Sequence, residues 1–369
     1  LAARDKLVKP KKFTEKYGEH FPIWSFSRIS TMENCVTEYW LSRVKKVDSE
    51  DNIYTLSGTV CHDILEGFYN GEVKYEVMND KFESDFLDIE ISDYKFSSEE
   101  YRNKNMRNKY KTCVSHFFQH HQPIQGKVKT EQTIWIDVEG NVFVGYMDYI
   151  YKDQNGKYHI GDFKTSTIFK GKDLHKKSKQ LKLYAEGLHQ LGVPYEDIIC
   201  EFNFLKYTSI TYMQKNGKEK VTHAERHKWV EAIKTPLKKD IESLYEISTW
   251  EADLKLDDCV RKNSLDDLIP TIRNKYKLTD CYVSVEVTEE SIHELKQELV
   301  SVINDINSRN KDEENDWGRG IIEASDSFYC TTLCSVKRSC SYFKEYIKQF
   351  KQNQKEEEDI IIDLDGLPF

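Results

Sequence analysis

Three side chains in one short stretch have the types and spacing to do chemistry. Asp148 closes the run Gly145-Tyr146-Met147-Asp148, and Asp162 and Lys164 sit two apart in Gly161-Asp162-Phe163-Lys164. Both runs read as strands, in which successive side chains alternate faces, so Asp162 and Lys164 point one way and Phe163 the other. The segment between them, Asp153-Gln154-Asn155-Gly156-Lys157, carries the Asn-Gly signal of a hairpin turn. If that loop holds an odd number of residues, Asp148 falls opposite Asp162. Two carboxylates at that distance share a proton or hold a divalent cation. The adjacent lysine would polarise water or hold a phosphate. The alternative for these residues alone is an ordinary salt bridge on a surface hairpin.

A second constellation is made of cysteines. Cys330, Cys334 and Cys340 lie within eleven residues, with Lys337 and Arg338 among them. In a chain with nine cysteines and no secretion signal, such a group reads as metal ligation rather than as a disulfide framework. A four-thiolate site lacks one ligand, and the best distant candidate is Cys35. A histidine, His62, lies on an apolar helical stripe with Leu65 and Tyr69, where a satisfied core residue is the ordinary explanation. His116, His120 and His121 close a long basic helix, where cations at the C-terminus need no functional role.

The elements that must position these groups follow from periodicity. Residues 25–44 read as one helix with Cys35 in its middle, residues 58–69 as a second, and residues 97–121 as the basic one. Three strands follow, over 131–138, 142–151 and 157–164. Next comes a helix from Gly171 with Leu181, Tyr184, Leu188 and Leu191 as its buried stripe, and then a strand region over 198–212. Gln180 and Tyr184 stand one turn apart on that helix and reach the same point. Strand, strand, strand, helix, strand specifies a mixed α/β core. Residues 214–281 read as helices, over 224–245 and 264–276, the second broken at Pro270. A strand over 282–288 then leads into an amphipathic helix over 289–308. The expected divisions are a basic arm or irregular lead-in (1–24), a core with the candidate site (25–213), a helical insertion (214–281), a C-terminal part of the core domain carrying the cysteines (282–345) and an acidic tail (346–369).

The 369-residue chain has a formal net charge of −9, which speaks against a protein that coats nucleic acid generally. Its basic residues are clustered, however. Arg102 and Arg107 belong to one group. Lys170, Lys172, Lys176, Lys177 and Lys179 follow the Asp-x-Lys pair directly and are the better candidates for phosphate contacts. No apolar run has the length of a membrane span, and a cytoplasmic protein of a bacterium or phage-infected host is expected. There is no phosphate-binding loop of the Walker type, so a helicase motor would have to come from a partner.

Taken together, these residues resemble the PD-(D/E)xK nuclease superfamily, in particular its RecB-like branch and the AddB-like iron–sulfur exonucleases within it. The resemblance covers residues 25–340 apart from the insertion. It implies a restriction-endonuclease-like mixed sheet flanked by helices, with the cysteines tying the N-terminal helix to the C-terminal segment. It makes Asp148 and Asp162 metal-binding carboxylates and Lys164 the catalytic lysine. His62 and the backbone carbonyl of Phe163 become further ligands for Mg²⁺ or Mn²⁺, and Glu131 the acid that supports the site. Gln180 and Tyr184 match a Gln-x-x-x-Tyr motif facing DNA and active site. Cys35, Cys330, Cys334 and Cys340 match a split [4Fe–4S] pattern, though Cys330 and Cys334 are spaced C-x3-C where the family has C-x2-C, which leaves structural zinc as the alternative. The implied activity is DNA cleavage, by an exonuclease at ends or on single strands in replication, recombination or repair. The alternatives are a structure-specific endonuclease or a non-catalytic DNA-binding accessory protein. The acidic tail, with Leu364, Leu367, Pro368 and Phe369, resembles the docking peptides of single-stranded-DNA-binding proteins and of sliding-clamp partners.

Overall fold

The computed structural model describes residues 8–323 and 327–349. The docking-peptide residues Leu364, Leu367, Pro368 and Phe369 lie outside the described residues. The expected mixed α/β architecture is present: one seven-stranded sheet, mostly antiparallel, flanked by helices. The chain forms two compact units.

The first unit takes in the described residues through Tyr54, then Trp135–Gly145, and the chain from His293 onward. Its lead-in is more ordered than the sequence suggests, with a helix α1 (Lys11–Tyr17) and a two-residue strand β1 (Ile23–Trp24). Phe13 of α1 packs on Trp135, 5.8 Å between rings, while Lys16 and Tyr17 both reach the Asp137 carboxylate. The expected single helix over 25–44 is broken. Helix α2 (Phe26–Asn34), capped by the Ser25 hydroxyl, ends at Cys35, whose extended backbone (φ −160°, ψ 113°) begins a short α3 (Val36–Tyr39) and then a wider turn over Trp40–Val44. Cys35 therefore sits at a break and not inside a helix, and the apolar periodicity continues across that break, which hid it. Trp317 is fully buried against Tyr39, with rings 5.8 Å apart and nearly parallel. Its backbone carbonyl accepts from the Thr37 hydroxyl at 2.7 Å.

The second unit takes in Thr55–Ile134 and Tyr146–Ile292. Its helices are α4 (Ile53–Tyr69, nearly all of it here), α5 (Met78–Ile91) and α6 (Glu100–His120). The sheet begins with β2 (Lys129–Val138) and β3 (Asn141–Lys152), both of which cross the division between the units, and continues in β4 (Tyr158–Lys164). Helix α7 (Gly171–His189) then leads to the long β5 (Ile198–Met213). β4 lies parallel to the first half of β5, and β6 (Glu219–Glu225) takes over the same edge antiparallel to the second half. β7 (Lys277–Val285) runs along the other edge of β5. From Ile292 the chain continues through α11 (Glu289–Ser308).

The stretch 214–281 is not all helical. β6 joins the sheet, and α8 (Lys234–Tyr245) and α9 (Thr249–Lys262) pack Leu237, Ile241 and Leu256 onto Ile210 and Tyr212 of β5 and Trp229. The expected helix over 264–276 shrinks to α10 (Pro270–Arg273), where Pro270 opens the helix instead of breaking one. α9 was missed because its charged residues blur the period, although Ser248 and Glu251 form a capping box at its start.

Two of the histidines at the end of α6, His121 and His116, belong to a buried polar network, while His120 stays exposed in the last turn. His121 places Nδ1 2.6 Å from Asp280 Oδ2, and Arg226 Nη2 donates to Asp280 Oδ1 at 2.7 Å, all three fully buried. Arg226 Nη1 also reaches His116 Nδ1 at 3.2 Å. Burial, with His120 and Arg226 nearby, pushes the His116 pKa down to about 3, so this ring is neutral. Removing one partner of a buried ion pair strands the other charge. Asp280→Ala should therefore lower unfolding free energy by about 3–5 kcal/mol, read as a shift of the urea midpoint.

Candidate active site

The pairing of β3 with β4 decides the site. Tyr149 pairs with Gly161 and Lys152 with Tyr158, so the loop between holds five residues and Asp148 stands opposite Asp162. The turn is closed by Asp153, whose Oδ1 accepts from the backbone N–H of Asn155 and of Lys157, with Gly156 at φ +85°. An odd loop keeps both acids on one face of the sheet.

On the other face, Tyr149 lays its ring across Gly161 and meets Phe163 at 4.7 Å between centroids. A Cβ at position 161 would fall inside the Tyr149 ring. Glycine here is a packing requirement one residue from Asp162.

His62 comes from α4. Its Nε2–H donates to the Phe163 carbonyl at 2.8 Å, and its Nδ1 lies 3.3 Å from Asp148 Oδ2. The same Asp148 oxygen accepts the Phe163 backbone N–H at 2.8 Å. Asp162, buried, is ion-paired through Oδ2 to Lys164 Nζ. Burial raises the Asp148 pKa, as does Asp162, against the pull of His62 and Lys164. For Lys164 burial works downward, but Asp162 and Asp148 outweigh it and hold the ammonium above the ordinary lysine value.

From α7, Gln180 Nε2 donates to the Tyr184 hydroxyl at 2.9 Å. Tyr184 is buried, and its pKa is raised first by that burial and further by Asp162 and Asp148, which it faces. His62, Asp148, Asp162, the Phe163 carbonyl, Lys164, Gln180 and Tyr184 are thus brought together. The donor set of one imidazole, two carboxylates and a peptide oxygen suits a hard divalent cation. As they stand these groups keep hydrogen-bond spacing: among the described residues no three His, Cys, Asp or Glu side chains are drawn in to the distances of a bound ion.

Glu131, at φ +48°, faces Glu66 of α4. Burial raises the Glu66 pKa, and Glu131 and Asp63 add to it. Glu66 was missed by sequence reasoning, though its place one turn after His62 was a usable signal. On α6, Arg107 Nε donates to Glu90 at 3.1 Å and Lys109 pairs with Glu225, so part of this basic cluster is neutralised internally.

The four singled-out cysteines lie in the first unit, all buried, and line one pocket with Glu38 and Arg319. Arg319 Nη1 lies 2.6 Å from Cys330 Sγ and 4.0 Å from Cys35 Sγ. Glu38 accepts from the Tyr329 hydroxyl and the Ser335 N–H, tying α3 to the cysteine segment. Burial raises the Cys35 thiol and pushes Cys334 up to about 12. Neither Glu38 nor Arg319 carried a local signal, since their partners are remote in sequence. The donor chemistry, four thiols in one pocket, fits a soft metal or cluster.

Filling a close-packed contact forces backbone shifts costing about 1–3 kcal/mol or more. Gly161→Ala is expected to destabilise the protein by at least that much in thermal melts and to displace Asp162.

Residues 23–341 match the family model described as the PD-(D/E)XK nuclease superfamily. A search of curated proteins found no match. A solved structure titled "Crystal structure of SSO0001" is 14% identical, aligned over 64% of this chain and 88% of its own, with a TM-score of 0.17. That likeness is too slight to carry an argument. The family match spans most of the chain and includes the paired acids and the lysine, and on it the chain belongs to the PD-(D/E)XK nuclease superfamily.

Proposed function

We propose that this protein is a metal-dependent DNA nuclease of the RecB-like branch, an exonuclease that hydrolyses phosphodiester bonds at DNA ends or in single strands. The observation that supports this most is the convergence of His62, Asp148, Asp162 and the Phe163 carbonyl beside Lys164. His62, the two carboxylates and the carbonyl would hold Mg²⁺ or Mn²⁺. A divalent cation bound there supplies positive charge to the scissile phosphate and makes a coordinated water more acidic.

The remaining work falls to the chain's own groups. The Phe163 N–H fixes the rotamer of Asp148, and His62 braces the same carboxylate. The Lys164 ammonium orients the attacking water or offsets the negative charge that grows on the phosphate. Gln180 and Tyr184 present an amide and a phenol on the side of the carboxylates, where they position the sugar–phosphate chain. Asp162→Ala and Lys164→Ala should each lower cleavage of end-labelled DNA by about a hundredfold to a thousandfold, the scale lost with a charge-stabilising group, while circular dichroism and DNA binding persist. Cleavage near wild-type rates in Mg²⁺ or Mn²⁺ by either variant would overturn the reading. Single-stranded, linear duplex and circular substrates separate exonuclease from endonuclease action.

Cys35, Cys330, Cys334 and Cys340 would hold a [4Fe–4S] cluster whose role is structural, joining the break after α2 to the C-terminal segment. The C-x3-C spacing of Cys330 and Cys334 favours zinc as the second reading. Anaerobically purified protein should be brown, with visible absorbance lost in Cys334→Ser. Colourless protein with one equivalent of zinc would replace the cluster by a structural ion.

A further inference from the structure

The lysine run after Lys164 is not uniform, and its members differ in where α7 points them. Helix α7 packs against β4 and β5, and its Leu181 carbonyl accepts from Cys200 Sγ on β5 at 3.6 Å. Ser178, Leu181, Ala185 and Leu188 fill the buried face. Beside that face runs a second stripe, Lys177, Gln180 and Tyr184, spaced three and four apart and therefore stacked along one line of the helix. Tyr184 faces Asp148 and Asp162, and Gln180 is bonded to Tyr184. Lys172, Lys179 and Lys182 fall on other sides. Lys176 flanks the stripe and has a partner of its own.

Lys177 differs from its neighbours in what surrounds it. It is exposed, and among the described residues no carboxylate lies within ion-pairing distance of it. The charges around it are mostly positive: crowding by protein, then Lys176 and Lys164, lower its pKa, and only Asp173 acts the other way. A lysine with mostly positive neighbours, Asp173 near it on the helix without an ion pair to it among the described residues, and a place one turn before Gln180 at the edge of a carboxylate site is matched by an anion that is absent from the free protein.

Resting on the nuclease reading above, we infer that Lys177 is a substrate-positioning residue that binds the phosphate next to the scissile one, so that Lys177, Gln180 and Tyr184 form a ladder along the DNA strand. The scissile phosphate then lies at Lys164 and Asp162, and its neighbour along the strand lies one helical turn further towards the start of α7. This contact sets strand register and contributes to binding rather than to the chemical step.

The test uses the full-length protein and a fluorescent single-stranded oligonucleotide with one preferred cleavage position. Lys177→Ala should raise KM about tenfold with kcat within about twofold, and Lys177→Arg should restore KM. In EDTA, the slope of log Kd against log salt should flatten by about 0.7 for one lost contact to single-stranded DNA. Lys182→Ala, on another side of α7, is the control expected to leave KM unchanged. A neutral methylphosphonate placed at the phosphate flanking the scissile bond should raise KM for the wild type and leave Lys177→Ala unaffected, because the two changes remove one interaction. Wild-type KM for Lys177→Ala, or a fall in kcat alone, would overturn the inference, as would equal penalties from the methylphosphonate in both proteins. If wild-type protein neither binds nor cleaves DNA with Mg²⁺ or Mn²⁺, the nuclease reading itself fails, and the two failures are thereby told apart.

Discussion

The candidate active site hangs on the register of one antiparallel pair. Because side chains alternate along a strand, a slip of one residue between β3 and β4 would turn Asp148 or Asp162 to the opposite face and leave Lys164 beside a single acid. Two features hold the register. Asp153 closes the five-residue turn by accepting two backbone N–H groups, and the Tyr149 ring lies over Gly161, where no other side chain fits. The Phe163 N–H bond to Asp148 is a third, local consequence of the same pairing. Parallel pairing of β4 with β5 then carries the register outward, with Lys164 beside Phe204.

The residues around the acids show how one backbone position serves two purposes. Phe163 turns its ring to Tyr149 in the core and gives both its N–H and its carbonyl to the site, to Asp148 and His62. Packing on one face therefore fixes chemistry on the other. Burial by itself works against ionisation of Asp148 and of Lys164, but for the lysine the two acids reverse it. The arrangement is strongly polar and largely enclosed, the condition in which a charge placed nearby has its greatest effect.

The cysteine pocket follows a different logic. Cys35 is far in sequence from the other three thiols, and what brings it to them is packing at the break after α2, the Tyr39–Trp317 stack and the Glu38 contacts with Tyr329 and Ser335. An arginine stands among the thiols, so positive charge is already supplied where thiolates would form.

The chain alone marked the strand-borne acids, the lysine two residues on, the Gln-x-x-x-Tyr turn and the run Cys330, Cys334 and Cys340, because each is a short-range pattern. The mixed sheet was legible for the same reason over β2, β3, β4 and β5. Periodicity failed where context overrode it. The stripe over residues 25–44 ran straight through the break at Cys35, β6 is too polar to alternate, and α9 is too charged to show a face. Only the tertiary structure decided that His121 and His116 belong to a buried network with Asp280 and Arg226, that Glu38 and Arg319 face the cysteines, and which lysine of the run shares a line with Tyr184. Those facts depend on contacts between residues distant in sequence, and such contacts leave no mark on local composition.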